Sequence, residues 1–176
     1  MTGIFTIPFK SLKEGHYSYD FKINNEFFEK FEESEIKQGN LSVSVEMNRK
    51  TSHLELIVKI SGTVMTTCDR CMEVFPYPVS CENGLIVKFE NDISIDDTDI
   101  IYISNDEYEL DLRQHLYDFI HLALPIRRLH PPNKDGKTGC NQEMIKKLNE
   151  LIIGEEKQND TDPRWDELKK LMNNKN

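Results

Sequence analysis

Two cysteines with two residues between them, Cys68-Asp69-Arg70-Cys71, are the residues whose type and spacing most directly indicate chemistry. Thiolates at this spacing bind one tetrahedral zinc ion from a tight turn and supply half of a closed structural site. His130 and Cys140 lie in the one long loop rich in Pro and Gly, which would have to fold back on the turn. We therefore predict zinc bound by Cys68, Cys71, His130 and Cys140, with reduced structural cysteines as the alternative.

Catalysis by the cysteine pair is the competing hypothesis. A redox-active pair lies at a helix N-terminus, which lowers the thiol pKa, but Cys71 is followed by Met-Glu-Val-Phe-Pro-Tyr-Pro-Val, and its two prolines disfavour a helix. A zinc- or thiol-dependent enzyme also needs a third catalytic group, and the sequence indicates none. The motifs GxxxxGK[ST], GxGxxG, HExxH and GxSxG are absent from it. We therefore expect a non-catalytic protein.

The other candidate ligands have simpler interpretations. Cys81 shares a predicted strand face with Val79 and Val87, which indicates a small buried apolar residue. His115 and His121 are six residues apart on a predicted helix, whereas a metal pair on one helix face needs a spacing of three or four. The acidic residues between positions 90 and 111 lack the DxDxDG order of a calcium loop.

Short strands are predicted to hold the cysteine pair in place. Segments 41–45 and 54–60 alternate apolar and polar residues, with a hairpin turn between them, and Ser61-Gly62 predicts a break before Thr63–Thr67. Further strands are predicted near residues 4–9, 17–23, 79–89, 100–103 and 108–110, and a helix beginning at Asn24 or Asn25. Strands joined by turns favour antiparallel pairing. The predicted fold is α+β, an antiparallel sheet or partly open barrel of about six to seven strands.

The last third of the chain is predicted to be helical. Asp111 can cap a helix that ends at Pro125, and Asn141 can cap a second helix that stops at Gly154. We predict one α+β domain over residues 1–153, a polar linker over 154–161, and a short helix with a tail over 162–176. A short helix on a polar tether needs a surface to fold against, which is either the protein's own core or a partner. We predict that its apolar residues Trp165 and Leu168 bind a partner, with docking on the protein's own core as the alternative.

The charge is distributed unevenly along the 176 residues. The net charge is −9, and the nine acidic residues from Glu90 to Asp111, with no Lys or Arg among them, account for all of it. Such a chain does not coat nucleic acid non-specifically, and the acidic stretch suits a basic protein partner. The predicted contacts are Asp96, Asp97 and Asp99 for that partner, and Arg113, Arg127 and Arg128 for phosphate.

The length corresponds to about one domain. Apolar runs are only a few residues long, and the N-terminus lacks the basic start and apolar stretch of a signal peptide. We therefore expect a cytoplasmic protein with no membrane span, in which cysteines stay reduced or bind metal.

Several pieces of the sequence, taken in order, resemble the YceD family, the large-ribosomal-RNA-subunit accumulation proteins of bacteria and plastids. Gly62-Thr63-Val64 leads into Cys68–Glu73, and an acidic region leads to Leu110-Asp111-Leu112. A helix ends in Leu122-Ala123-Leu124-Pro125, and the chain end reads Asp162-Pro163-Arg164-Trp165. The resemblance covers about residues 40–172.

This resemblance implies a non-catalytic, cytoplasmic role in accumulating or processing large-subunit ribosomal RNA. The implied partners are a ribosomal protein or pre-ribosomal particle, with ribosomal RNA as a further contact; an adaptor unrelated to ribosomes is the remaining alternative. Many relatives carry extra cysteines after the Leu-Pro helix end, where this chain has only His130 and Cys140.

Overall fold

The computed structural model of the chain describes residues 5–89, 100–104, 106–132, 136 and 138–151. The internal contacts divide the chain into two units, Met1–Gly139 and Cys140–Asn176. The first unit contains, in chain order, β1 (Thr6–Pro8), β2 (Gly15–Ile23), α1 (Asn25–Phe28), β3 (Gly39–Arg49), β4 (His53–Thr67), β5 (Val74–Phe89), β6 (Ile100–Ile103), β7 (Glu109–Asp111) and α2 (Arg113–Leu122). The described part of the second unit contains α3 (Gln142–Leu151).

Most strands of the first unit form one open sheet. The strand order is β2-β3-β4-β5-β6, and β1 pairs with β7 in a separate two-stranded sheet. β4 and β5, of 15 and 16 residues, are the two longest strands, and they pair along their length from His53↔Lys88 to Thr67↔Val74. The CxxC turn is therefore the hairpin connection of the longest antiparallel pair. The α+β prediction is confirmed, with an open sheet rather than a closed barrel.

One pairing differs from the antiparallel expectation. β6 runs parallel to β5, from Ile100 opposite Ile86 to Ile103 opposite Phe89. A two-residue turn would have imposed antiparallel pairing, but the connection over residues 90–99 is long enough to leave the strand direction open. The alternation of side chains predicts which face a strand buries, and it carries no information about the direction of the neighbouring strand.

The predicted alternation of apolar and polar residues correctly identifies the buried face of the sheet. Every second residue is buried in β3 from Leu41 to Met47 and in β4 from Leu54 to Ile60. α2 adds the buried stripe predicted for it, and the aromatic rings after β2 complete the cluster. Each fully buried Val, Leu, Ile or Phe side chain contributes about 1.5–3 kcal/mol relative to exposure. The core thus lies on one face of the sheet.

Gly62 does not interrupt a strand, contrary to the prediction. β4 continues through Ser61-Gly62 because the glycine has φ +152° and lies against the neighbouring strand. A Cβ at this position would stand 2.3 Å from the Asn40 carbonyl oxygen and 2.7 Å from the Leu41 Cα. The glycine is needed for close backbone approach rather than for chain reversal. The start of β5 also differs from the prediction: the strand begins at Val74, five residues before the predicted start at Val79.

The start of α3 agrees with its expected cap. At α2 the cap position is occupied by Leu112, which makes no side-chain cap hydrogen bond, and the predicted cap Asp111 lies one residue earlier. Asp111 Oδ1 accepts the Arg113 N–H at 2.9 Å, and Asn141 Oδ1 accepts the N–H groups of Glu143 at 2.9 Å and Met144 at 3.4 Å. The predicted stop at Gly154, the linker and the C-terminal helix lie outside the described residues.

Across the described ranges, every helix is too short or too polar to cross a membrane.

Candidate metal centre

The CxxC turn is tightly closed by its own backbone. The Cys68 N–H donates to the Glu73 carbonyl at 2.9 Å, and the Met72 N–H donates to the Cys68 carbonyl at 3.0 Å. Met72 has φ +62°, a left-handed conformation that bulky residues rarely adopt. The chain reverses direction at this turn. Both cysteine side chains are buried, with 0% exposure for Cys68 and 2% for Cys71.

A second segment, following α2, is fastened to this turn by reciprocal hydrogen bonds. The Asp69 N–H donates to the Arg128 carbonyl at 2.8 Å, and the Arg128 N–H donates to Asp69 Oδ2 at 2.5 Å. The Arg128 guanidinium then reaches Glu35 Oε2 at 2.9 Å and Thr66 Oγ1 at 3.4 Å. We call this arrangement the Asp69–Arg128 latch. It fixes the chain two residues before His130.

His130 and Cys140 complete a group of four ligand atoms. His130 Nδ1 lies 3.4 Å from Cys71 Sγ, and the His130 ring packs at 4.3 Å from the ring of Phe75. The ligand atoms of Cys68, Cys71, His130 and Cys140 all lie within 4.8 Å of one another. Tetrahedral zinc with Zn–S bonds of about 2.3 Å needs sulfurs about 3.8 Å apart, so small adjustments would suffice. The four predicted ligands are therefore close together.

The electrostatics of the turn favour a thiolate. Burial raises the pKa of Cys68, but the backbone N–H groups of Cys71, Arg70 and His130, together with the His130 side chain, outweigh burial and lower the pKa from 9.0 to about 6. N–H groups directed at a sulfur are the outer-sphere contacts that metal-bound thiolates use. A donor set of three soft thiolates and one imidazole fits zinc.

The family of the chain follows from comparison with known proteins. The family model described as "Large ribosomal RNA subunit accumulation protein YceD" matches residues 56–172. The chain belongs to the YceD family. The match spans the CxxC turn, Arg128 and the two later candidate ligands, His130 and Cys140, and it confirms the family resemblance seen in the sequence. Comparison with curated proteins and with solved structures finds no match.

Cys81 of this YceD family member stands apart from the four-ligand group. It is partly buried in β5, its Sγ lies 3.9 Å from the Phe119 carbonyl oxygen, and burial raises its pKa. His115 and His121 are also outside the group. Burial lowers the pKa of His115, which is partly buried on α2.

The predicted partner-binding residues remain predictions. Arg113 pairs with the neighbouring Asp111 carboxylate, Arg127 is exposed, and Arg128 is engaged within the latch. The other predicted contacts, which are Asp96, Asp97, Asp99, Trp165 and Leu168, lie outside the described residues.

The sequence did not indicate the latch. Asp69 and Arg128 are separated by 59 residues, and neither belongs to a motif that demands a partner. The left-handed Met72 was also missed, because glycine or asparagine is the usual signal for that conformation. Phe75 could have been suspected from its place just after the CxxC pair, where a buried ring can support a ligand imidazole.

Proposed function

We propose that the chain is a non-catalytic cytoplasmic factor that supports the accumulation or processing of large-subunit ribosomal RNA. It acts by binding a ribosomal protein or pre-ribosomal particle, and Cys68, Cys71, His130 and Cys140 hold a structural zinc ion. The family match over residues 56–172 supports the functional class. The enclosed group of four ligand atoms supports the metal.

A structural role suits this ligand set better than a catalytic one. Catalytic zinc keeps one coordination position open for water or substrate, whereas four protein ligands fill the tetrahedron. The cysteines are 0%, 2% and 4% exposed, so they leave little room for an added ligand. The ion would instead tie the CxxC turn to the segment that carries His130 and Cys140.

A thiol-dependent enzyme is the second candidate, and the lowered pKa of Cys68 favours it, because a low pKa makes a thiol reactive at neutral pH. Complete burial of the same sulfur argues against it, since a substrate cannot reach the atom. Titration with a thiol reagent separates the two functions. We expect slow modification of native protein and rapid modification after chelation; a fast-reacting thiol unaffected by chelator would favour the enzyme.

The acidic stretch supports a basic protein as the main partner. Affinity purification from cells, with identification of both protein and RNA, tests this, and nuclease treatment distinguishes a protein contact from an RNA contact. Replacing Asp96, Asp97 and Asp99 by Asn should slow association and flatten its salt dependence. A matched control replaces the exposed Glu29, Glu32 and Glu33 by Gln. Equal effects of the two triple variants would refute a specific docking role.

The cellular role is tested by depletion. Loss of the protein should lower large-subunit ribosomal RNA relative to small-subunit RNA, and the wild-type gene should restore the ratio. An unchanged ratio in depleted cells would overturn the proposed function, whether or not zinc is bound.

A further inference from the structure

β2 is a long sheet edge. It forms one end of the strand order, and all nine residues, Gly15–Ile23, pair with β3 on one side only among the described strands. The pairing is continuous, without a bulge, and the strand contains no proline. Natural edge strands are usually short, bulged or blocked by proline, because an open edge is a template for another strand.

The opposite side of the sheet has those protections. β6 has only four residues, and it covers β5 only from Ile86 to Phe89. The stretch of β5 before that point carries Pro76 and Pro78, which cannot donate a backbone hydrogen bond to an added strand. The part of β5 that carries neither a proline nor a β6 partner, residues 79–85, is shorter than β2. Among the described strands, β2 is therefore the longer uninterrupted edge.

The core-side face of β2 also carries aromatic side chains that an added strand would bury. Tyr17, Tyr19 and Phe21 point to the core side of the sheet and remain only partly buried, packed at the margin of the core. On the other face, His16, Ser18, Asp20 and Lys22 are exposed. A strand added beside β2 would cover the aromatic row.

We propose that this added strand is β2 of a second copy, paired antiparallel to make a two-fold-symmetric dimer with a continuous sheet. The register that places Tyr19 opposite Tyr19 of the other copy uses all nine residues. It puts Tyr17 opposite Phe21 on the core side and Ser18 opposite Asp20 on the polar side. Apolar residues meet apolar residues, no acidic side chain directly opposes another, and the interface is isologous.

Charge substitution at Ser18 tests the register. Ser18→Lys places a cation opposite each Asp20 and should tighten the dimer, whereas Ser18→Glu places a like charge there and should weaken it. The two symmetric pairs should change the dissociation constant by roughly fivefold in each direction. Ser61→Lys and Ser61→Glu, on the same exposed face but in the interior strand β4, are the matched controls.

Sedimentation of the full chain over a range of concentrations provides the measurement, with a dimer of twice the 20.6 kDa chain mass as the expected species. Amide hydrogen exchange should slow in residues 15–23 as concentration rises. A chain that stays monomeric at every concentration overturns the proposal. A dimer whose dissociation constant is the same for Ser18→Lys and Ser18→Glu also overturns the proposal, since another surface must then form the contact.

Discussion

If the proposed zinc ion is bound, removing one of its four candidate ligands should lower stability by an amount set by the loop that the ion closes. Cys71 and His130 are 59 residues apart in the chain. In the chain-entropy description, a crosslink over that separation stabilises the folded state by about 4 kcal/mol at 25 °C. We therefore expect Cys71→Ser to lower the free energy of unfolding by up to about 4 kcal/mol, and the melting temperature by about 8–16 °C.

The variant should nevertheless fold. The three candidate ligand cysteines are buried, but none belongs to the contiguous cluster that forms the core, so the sheet should keep its own packing without a metal ion. Small zinc fingers, in contrast, unfold without metal because they have almost no other core. Circular dichroism of Cys71→Ser should therefore retain the strand signal at 25 °C while the thermal transition moves down.

Denaturant unfolding and elemental analysis together check this prediction. Wild-type protein purified without chelator should hold about one zinc per chain, and chelator should lower its stability to that of Cys71→Ser while leaving the variant unchanged. Cys81→Ser is the matched control: it should retain zinc and lose about 1 kcal/mol or less. The absence of metal from native protein, or equal losses in the two variants, would refute the reasoning.

Three further changes are expected to have measurable effects. Deleting residues 155–176 should leave the melting temperature nearly unchanged but weaken partner binding in a pull-down; destabilisation by several kcal/mol would mean that a buried Trp helix had been removed. Met72→Gly should raise the free energy of unfolding by about 1 kcal/mol because it relieves the left-handed strain, whereas Met72→Ala should give no gain. The pKa of His115 is lowered by burial, against the opposing effect of Asp118 and Asp111, so its contribution to stability is complete above about pH 6.5 and declines as the pH falls below that value. His115→Gln should flatten this part of the stability profile in urea titrations between about pH 7.5 and 5, and an unchanged slope would contradict it.

The features predicted correctly from the sequence are those that depend on residues close together in the chain. Alternation in segments 41–45 and 54–60 placed the buried face correctly, since the side-chain period of a strand is two in any sheet. Asn141 was identified as a cap because its side chain acts on the adjacent N–H groups. Gly62 was misread because a glycine allows either a turn or a close approach, and only the position of Asn40 decides between them.

The sequence predicted which residues could bind a metal at the candidate site, but it did not predict how the fold brings those residues together. Ligand chemistry singled out Cys68, Cys71, His130 and Cys140, and their ligand atoms lie together. What brings His130 to the turn is the Asp69–Arg128 latch, whose backbone bonds depend on no residue pattern. Long-range backbone hydrogen bonds leave no periodic signal, so this part of the site required the structure.

The separation between core and site has a consequence for interpreting variants. A core substitution such as Leu56→Ala removes packing from the central sheet and should cost about 2–5 kcal/mol with zinc still bound. A ligand substitution should instead leave the sheet intact and release the segment between α2 and Cys140. If Cys71→Ser lost ribosomal RNA accumulation in cells while keeping the folded sheet, and Leu56→Ala at equal stability did not, the metal-tied segment rather than general stability would be responsible for the function.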